Sequence, residues 1–190
     1  DMKLHIDGAR IFNAAVALDV DVKDLVADSD SITFCLSKGL AAPIGSVICG
    51  SEKFIYHARR TRKALGGGMR QAGIIASAGL YSLDNMLDQI HEDHKNAKRL
   101  AAGIDDIDGL SINKKNIKSN ILYFDIEKGE NRGEELARQT KNIEIYPFEI
   151  ALDNTRFFES RPGRFRLVTH YGITRDDIEK ALATLKNMVK

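Results

Sequence analysis

Lys38 stands directly after Ser31-Ile32-Thr33-Phe34-Cys35-Leu36, an apolar, β-forming run that reads as a buried strand. An ammonium at the end of such a strand is costly to desolvate. Desolvation favours the free amine, which can condense with a carbonyl to a Schiff base. The same position also suits a surface or snorkelling lysine. In His5-Ile6-Asp7-Gly8-Ala9-Arg10, Asp7 closes a short strand and Gly8 lets the backbone turn at once into a helix carrying Arg10. A carboxylate there can hold a protonated ring nitrogen or pair with a cation; it can equally be the N-cap of the following helix. His5 and Asp7 share a strand face, but two candidate ligands without a third do not define a metal site. The third segment, Arg59-Arg60-Thr61-Arg62-Lys63-Ala64-Leu65-Gly66-Gly67-Gly68-Met69-Arg70-Gln71, leads basic residues into a glycine turn and a helix start. That is a cradle for an anion such as phosphate; a nucleic-acid patch and a solvated cationic helix face compete with it. His91 and His94, at i, i+3 on a charged helix, read as a solvated face. Arg164, Arg166 and His170 flank an apolar strand over 165–169, where one arginine could grip a carboxylate in bidentate fashion.

The elements that must position these groups alternate strand and helix, the pattern of an α/β protein with a mostly parallel sheet. Strands are predicted over 4–7, 31–36 and 45–50, and helices over 10–18, 22–27 and 52–65, the last with Ser51 as N-cap and Glu52 in its first turn. A small-residue helix from Gln71, suited to close packing, precedes a charged helix over 85–102. Beyond Gly103 the texture becomes that of a smaller α+β domain. Strands are predicted over 110–113, 121–126, 143–148 and 165–169, with a helix over 133–141. Thr174-Arg175-Asp176-Asp177, a capping box with Asp where Glu is usual, opens a last amphipathic helix to 190. A boundary inside the long helix divides residues 1–92 from 93–190.

Composition limits what such a chain can be. Its 190 residues are 43% hydrophobic and 29% charged, which excludes a disordered tail. Lys and Arg total 28 against 27 Asp and Glu, and that balance argues against a protein that coats nucleic acid or anionic membrane. No apolar run is long enough to cross a bilayer and no leader is evident, so a cytoplasmic protein is expected. Cys35 and Cys49 lie in apolar stretches and are predicted to be buried thiols. The chain begins in mid-element at Asp1-Met2-Lys3-Leu4, and residues 1–92 hold too few strands to close a sheet, so a piece of a longer polypeptide is expected.

Taken in order, His5-Ile6-Asp7-Gly8-Ala9-Arg10, Ser37-Lys38-Gly39-Leu40-Ala41-Ala42-Pro43-Ile44-Gly45-Ser46, Gly66-Gly67-Gly68-Met69-Arg70-Gln71-Ala72-Gly73 and Arg166-Leu167-Val168-Thr169-His170 closely resemble low-specificity L-threonine aldolases. These are pyridoxal 5'-phosphate enzymes of the aspartate-aminotransferase fold type I. The resemblance spans nearly the whole chain and implies that 1–92 is the C-terminal part of the cofactor-binding large domain and 93–190 the small domain. It implies that Lys38 forms the Schiff base with pyridoxal 5'-phosphate and that Asp7 pairs with the pyridine nitrogen, so that the ring draws electrons. Arg10 would contact the substrate carboxylate and the cofactor's surroundings, with Arg166 as the main carboxylate clamp. Arg70 would lie near the cofactor phosphate, reaching it from a partner subunit of a homodimer or homotetramer. The implied reaction is retro-aldol cleavage of L-threonine or L-allo-threonine to glycine and acetaldehyde. The family's phosphate loop and two active-site histidines belong to an N-terminal half not found here, so this chain alone is expected to be inactive. A related β-eliminating lyase or amino-acid racemase would use the same Asp7 and Lys38, and a non-catalytic anion-binding or interaction domain is the reading from another class.

Overall fold

Strand β1 (His5–Asp7) is too short to stand alone and gains its ladder from the apolar β2 (Ser31–Cys35). The two run parallel, with His5 opposite Ser31 and Asp7 opposite Thr33. The chain between them forms α1 (Ile11–Leu18) and α2 (Val22–Val26), the crossover that a parallel pair requires. Strand β3 (Ser46–Gly50) follows β2 after the loop over 36–45 and pairs with it antiparallel, so this three-stranded sheet, ordered β1-β2-β3, is mixed. The computed structural model describes residues 2–126, 149–152, 155–161 and 163–188. The helix and strand expected over 133–141 and 143–148 lie outside them.

Two compact units divide the chain, Asp1–His91 and Glu92–Lys190. In the first, Leu36, Leu40, Ala42 and Ile90 form the buried cluster, packed by Phe12, Val16, Phe34, Val47 and Leu83. Phe12 meets Phe34 edge-on at 5.3 Å. Helix α3 (Glu52–Ala64) starts where the sequence predicts, the Ser51 hydroxyl accepting from the Phe54 N–H. It ends on a Schellman motif: Gly66 N–H donates to the Lys63 carbonyl and Gly67 N–H to that of Arg62, with Gly66 at φ 82°. Helix α4 (Gly73–Asn85) packs closely through Gly79, where an added Cβ would stand 2.8 Å from Leu36 Cδ1. That is the close approach its small residues predict, made within its own unit.

Helix α5 (Gln89–Asp105) carries the division between the units. The second unit is an antiparallel sheet of β4 (Leu110–Ser111), β5 (Ile121–Ile126), β6 (Glu149–Leu152), β7 (Thr155–Arg161) and β8 (Arg164–Val168), ordered β4-β5-β8-β7-β6. Leu122, Phe124, Phe165 and Leu167 point from one face into a core completed by α5 and by α6 (Arg175–Met188). Strands β6 and β7 were not among the predicted elements.

One prediction about this unit and one about thiols need correction. His94 is buried, beside the fully buried Asp93, instead of facing solvent. The buried stripe of α5 runs through 90, 93, 94, 97, 101 and 104, and helical spacing puts both residues on it. Cys35, at the end of β2, is half-buried, and Cys49 is exposed because β3 is an outer strand paired on one side only. Among the described residues no helix is long and apolar enough to cross a membrane.

The capping box that opens α6 is reciprocal. Asp177 N–H donates to Thr174 Oγ1 at 3.2 Å, and the Thr174 N–H and hydroxyl donate to Asp177 Oδ2 at 2.9 and 2.7 Å. Those bonds, the hydroxyl's first, hold the Asp177 carboxyl below its ordinary range. A carboxyl lowered by folding lends stability that is complete well above its unfolded value and is lost as pH falls through the lowered one. Thr174→Ala should cost about 1 kcal/mol at neutral pH. It should also flatten the acid limb of the stability profile, read from denaturant midpoints across pH.

Candidate active site

Because β1 and β2 are parallel, both leave the sheet at the same edge, the edge at which open α/β sheets bind ligands. The Gly8 N–H donates to the Thr33 carbonyl at 2.7 Å and makes the turn out of β1. Asp7, exposed at the strand end, accepts from the Ala9 N–H at 3.2 Å. It is not the cap of α1: the N-cap is Arg10, three residues on, and carries no side-chain cap bond. The capping alternative for Asp7 therefore falls. The backbone turns through Gly8 and Ala9 before helical geometry begins, which moves the cap beyond the carboxylate's reach.

Lys38 sits on the turn that leaves β2. Leu36 and Leu40, on either side of it, are both buried. Leu36 N–H donates to the Gly45 carbonyl at 2.9 Å, Ala42 N–H to Leu36 at 3.0 Å and Ala41 N–H to Lys38 at 2.9 Å, with Ala41 at φ 56°. Two helices back this turn. Asn13 of α1 is buried against Gly39, where an added Cβ would stand 2.6 Å from its Oδ1, and Gly79 of α4 lies against Leu36. Lys38 is half-buried, and among the described residues it forms no ion pair. Its surroundings thus pin the backbone and leave the amine available.

Sequence reasoning missed Asn13. Its signal is a polar residue on the buried face of the apolar run Ile11-Phe12-Asn13-Ala14-Ala15. His5 proves to be engaged by hydroxyls, Nδ1 lying 2.8 Å from Ser31 Oγ and Nε2 3.3 Å from Thr33 Oγ1.

Arg70 is exposed in the segment between α3 and α4, with Gln71 at φ 52°. It shares the first unit with Asp7, Arg10 and Lys38, but no hydrogen bond or ion pair joins it to them among the described residues. Arg166 belongs to the second unit, on β8 opposite Tyr123 of β5. It lies on the face away from the core, half-exposed, and among the described residues it has no ion-pair partner. Neighbouring Arg164 is occupied, stacked 5.2 Å from the Tyr123 ring and 3.9 Å from Asp125 Oδ1. Past β8, Thr169 is tied down: its hydroxyl donates to the Asp93 carbonyl at 2.6 Å, and Asn120 Nδ2 donates to the Thr169 carbonyl at 2.7 Å.

These residues suit a pyridine cofactor bearing an aldehyde. A lightly committed carboxylate and an amine that has no ion pair among the described residues leave one sheet edge on fixed turns, complementary to a protonated ring nitrogen and a carbonyl carbon.

The fold as a whole is that of solved pyridoxal-phosphate enzymes of fold type I. The Exiguobacterium sp. 255-15 protein described as an aromatic amino acid beta-eliminating lyase/threonine aldolase superposes with a TM-score of 0.73 at 20% identity, over 98% of this chain and 52% of that one. The chain belongs to the beta-eliminating lyase family, which matches residues 1–127. Low-specificity L-threonine aldolase 1 of Arabidopsis thaliana is 43% identical over 182 residues, 96% of this chain and 48% of that protein. The low specificity L-threonine aldolase of Escherichia coli (strain K12) is 37% identical over 185 residues, 96% of this chain and 50% of that protein. The chain spans about half the length of the relatives it matches.

The packing at Gly8 can be tested directly. An added Cβ would meet Ile32 Cδ1 at 2.9 Å, the Thr33 carbonyl oxygen at 3.1 Å and Ile11 Cβ at 3.2 Å. Gly8→Ala should cost about 1–3 kcal/mol, as overpacking does. Gly73→Ala, with nothing within 4 Å of the new Cβ, should cost nothing. Urea midpoints at unchanged slope read both.

Proposed function

We propose that this chain is about half of a pyridoxal 5'-phosphate-dependent aldolase that cleaves L-threonine or L-allo-threonine to glycine and acetaldehyde. The observation that carries the proposal is the shared exit of Asp7 and Lys38 from one edge of a parallel pair, each on a backbone turn fixed by hydrogen bonds. The names of the Arabidopsis and Escherichia coli relatives support the substrate.

Bound at this edge, the cofactor supplies a carbonyl carbon that condenses with amines and a ring that draws electrons from the substrate's Cα. Lys38 Nζ would be the group that holds the cofactor's carbonyl carbon, on a backbone turn fixed between the buried Leu36 and Leu40. The Asp7 carboxylate holds the proton on the ring nitrogen, and a ring so charged is the better electron acceptor. Arg166 grips the substrate carboxylate with its planar fork, assisted by Arg10 at the start of α1. A carboxylate so gripped would be fixed in its rotation about Cα, which is the positioning that bond cleavage at Cα requires. Arg166 suits the clamp better than Arg164, whose guanidinium is already stacked on Tyr123.

β-Elimination is the second reading, and the family description favours keeping it. The two reactions differ in product: glycine and an aldehyde, or ammonia and a 2-oxo acid. The protein would act in the cytoplasm as a homodimer or homotetramer, with Arg70 serving the cofactor phosphate across the interface.

Borohydride reduction of the whole protein with pyridoxal 5'-phosphate should trap the cofactor on Lys38, found by peptide mass mapping; an adduct elsewhere, or none, sinks the reading. Asp7→Asn should slow cleavage while leaving that adduct in place. Arg166→Lys keeps the charge and loses the fork. It should weaken glycine binding by about 1.5–3 kcal/mol, and unchanged affinity would remove the clamp from Arg166. Mixing inactive Lys38→Ala and Arg70→Ala subunits should restore part of the activity if Arg70 acts in trans. No recovery despite subunit exchange would put Arg70 in its own subunit's site.

A further inference from the structure

Asp7 shares its sheet face with three side chains that the proposed chemistry leaves unassigned. Residues two apart on a strand point the same way, so His5 lies beside Asp7, and on the neighbouring strand Ser31 and Thr33 stand opposite them. The His5 ring runs across this square. Its Nδ1 is 2.8 Å from Ser31 Oγ and its Nε2 3.3 Å from Thr33 Oγ1. Thr33 is the hydroxyl in register with Asp7, yet its bond goes along the sheet to His5 and not across to the carboxylate. Among the described residues Asp7 therefore accepts one hydrogen bond, from the Ala9 N–H.

That economy has a chemical consequence. A second hydrogen bond donated to a carboxylate competes with the one it would accept from a protonated ring nitrogen and draws off part of the negative charge that holds that proton in place. A carboxylate that must keep a ring nitrogen protonated works best with few competing donors. We propose that His5 is a positioning residue for Asp7: by engaging the Thr33 hydroxyl, with Ser31 fixing the other side of the ring, it keeps that hydroxyl off the carboxylate. The inference rests on the reading of Asp7 as the partner of a ring nitrogen.

The test uses the whole protein loaded with pyridoxal 5'-phosphate carrying 15N in the ring, because the 15N chemical shift reports whether that nitrogen is protonated. His5→Phe keeps a planar ring and removes both nitrogens. It should move the signal toward the unprotonated position and raise the cofactor dissociation constant about tenfold, the loss expected for one charge-assisted hydrogen bond. Adding Thr33→Val to His5→Phe should return both values to those of the unaltered protein, since the competing hydroxyl is gone. A structural role for His5 would not be rescued by removing a second side chain. Thr33→Val alone should leave the signal unmoved, and this variant serves even if His5→Phe does not fold. An unmoved signal in His5→Phe, no rescue in the double variant, or a shift in Thr33→Val alone would each overturn the proposal. Asp7→Asn separates the two levels. If it leaves the signal protonated, the assignment of Asp7 itself fails; if it moves the signal while His5→Phe does not, only the role of His5 fails.

Discussion

A single backbone bond, from the Gly8 N–H to the Thr33 carbonyl, decides where β1 stops, and the candidate site depends on that decision. It is the last bond of the β1–β2 pairing, and the chain turns away through Gly8 and Ala9 directly after it. That places the carboxylate at the sheet edge and starts α1 over Leu36 and Leu40. The residue that makes the bond must be small, because the space beside it is filled by Ile32, Ile11 and the Thr33 carbonyl itself. One ladder bond and one missing side chain thus link the position of Asp7 to the support of Lys38. A parallel pair is well suited to this arrangement, because its two strands end together and expose two loops at one edge.

The second unit solves a different problem. Strand β8 gives Arg166 a rigid mount on the face away from the core. Phe165 and Leu167 anchor the strand in the core, with Phe165 stacked on Phe124 at 5.4 Å, while alternation turns the arginines the other way. Asn120 and Thr169 hold the strand's end through buried hydrogen bonds, whose energies are highest where water cannot compete.

How much of this was legible in the sequence varies with the physics of each element. The strand end at Asp7, the end of β2 to within one residue, the Ser51 cap and the Thr174 box are local signals, written in residues a few positions apart, and sequence reading locates them. The β6–β7 hairpin escaped because Arg156, Glu159 and Arg161 interrupt its apolar pattern, although Asp153-Asn154 between two β-forming runs is a turn signal. His94 was misassigned by composition, since a helix rich in charge reads as solvated until its stripe is counted. The engagement of His5 by Ser31 and Thr33 was not legible at all. It depends on which residue of β2 stands opposite which residue of β1, and strand register is fixed by the folded sheet, not by spacing along the chain.

The Schellman motif at the end of α3 changes how the glycine turn can meet an anion. Two of the three glycine N–H groups, those of Gly66 and Gly67, are spent on the carbonyls of Lys63 and Arg62. The turn is then less a nest of amides than a rigid stop, and attraction for a phosphate must come mainly from exposed cationic side chains such as Arg62 and Arg70. Charges of that kind are felt over a Debye length of about 8 Å at physiological ionic strength and less in concentrated salt. Ionic strength would therefore act unevenly on this chain, screening the field of the arginine-rich turn while leaving the hydrogen-bonded turns around Asp7 and Lys38 almost untouched.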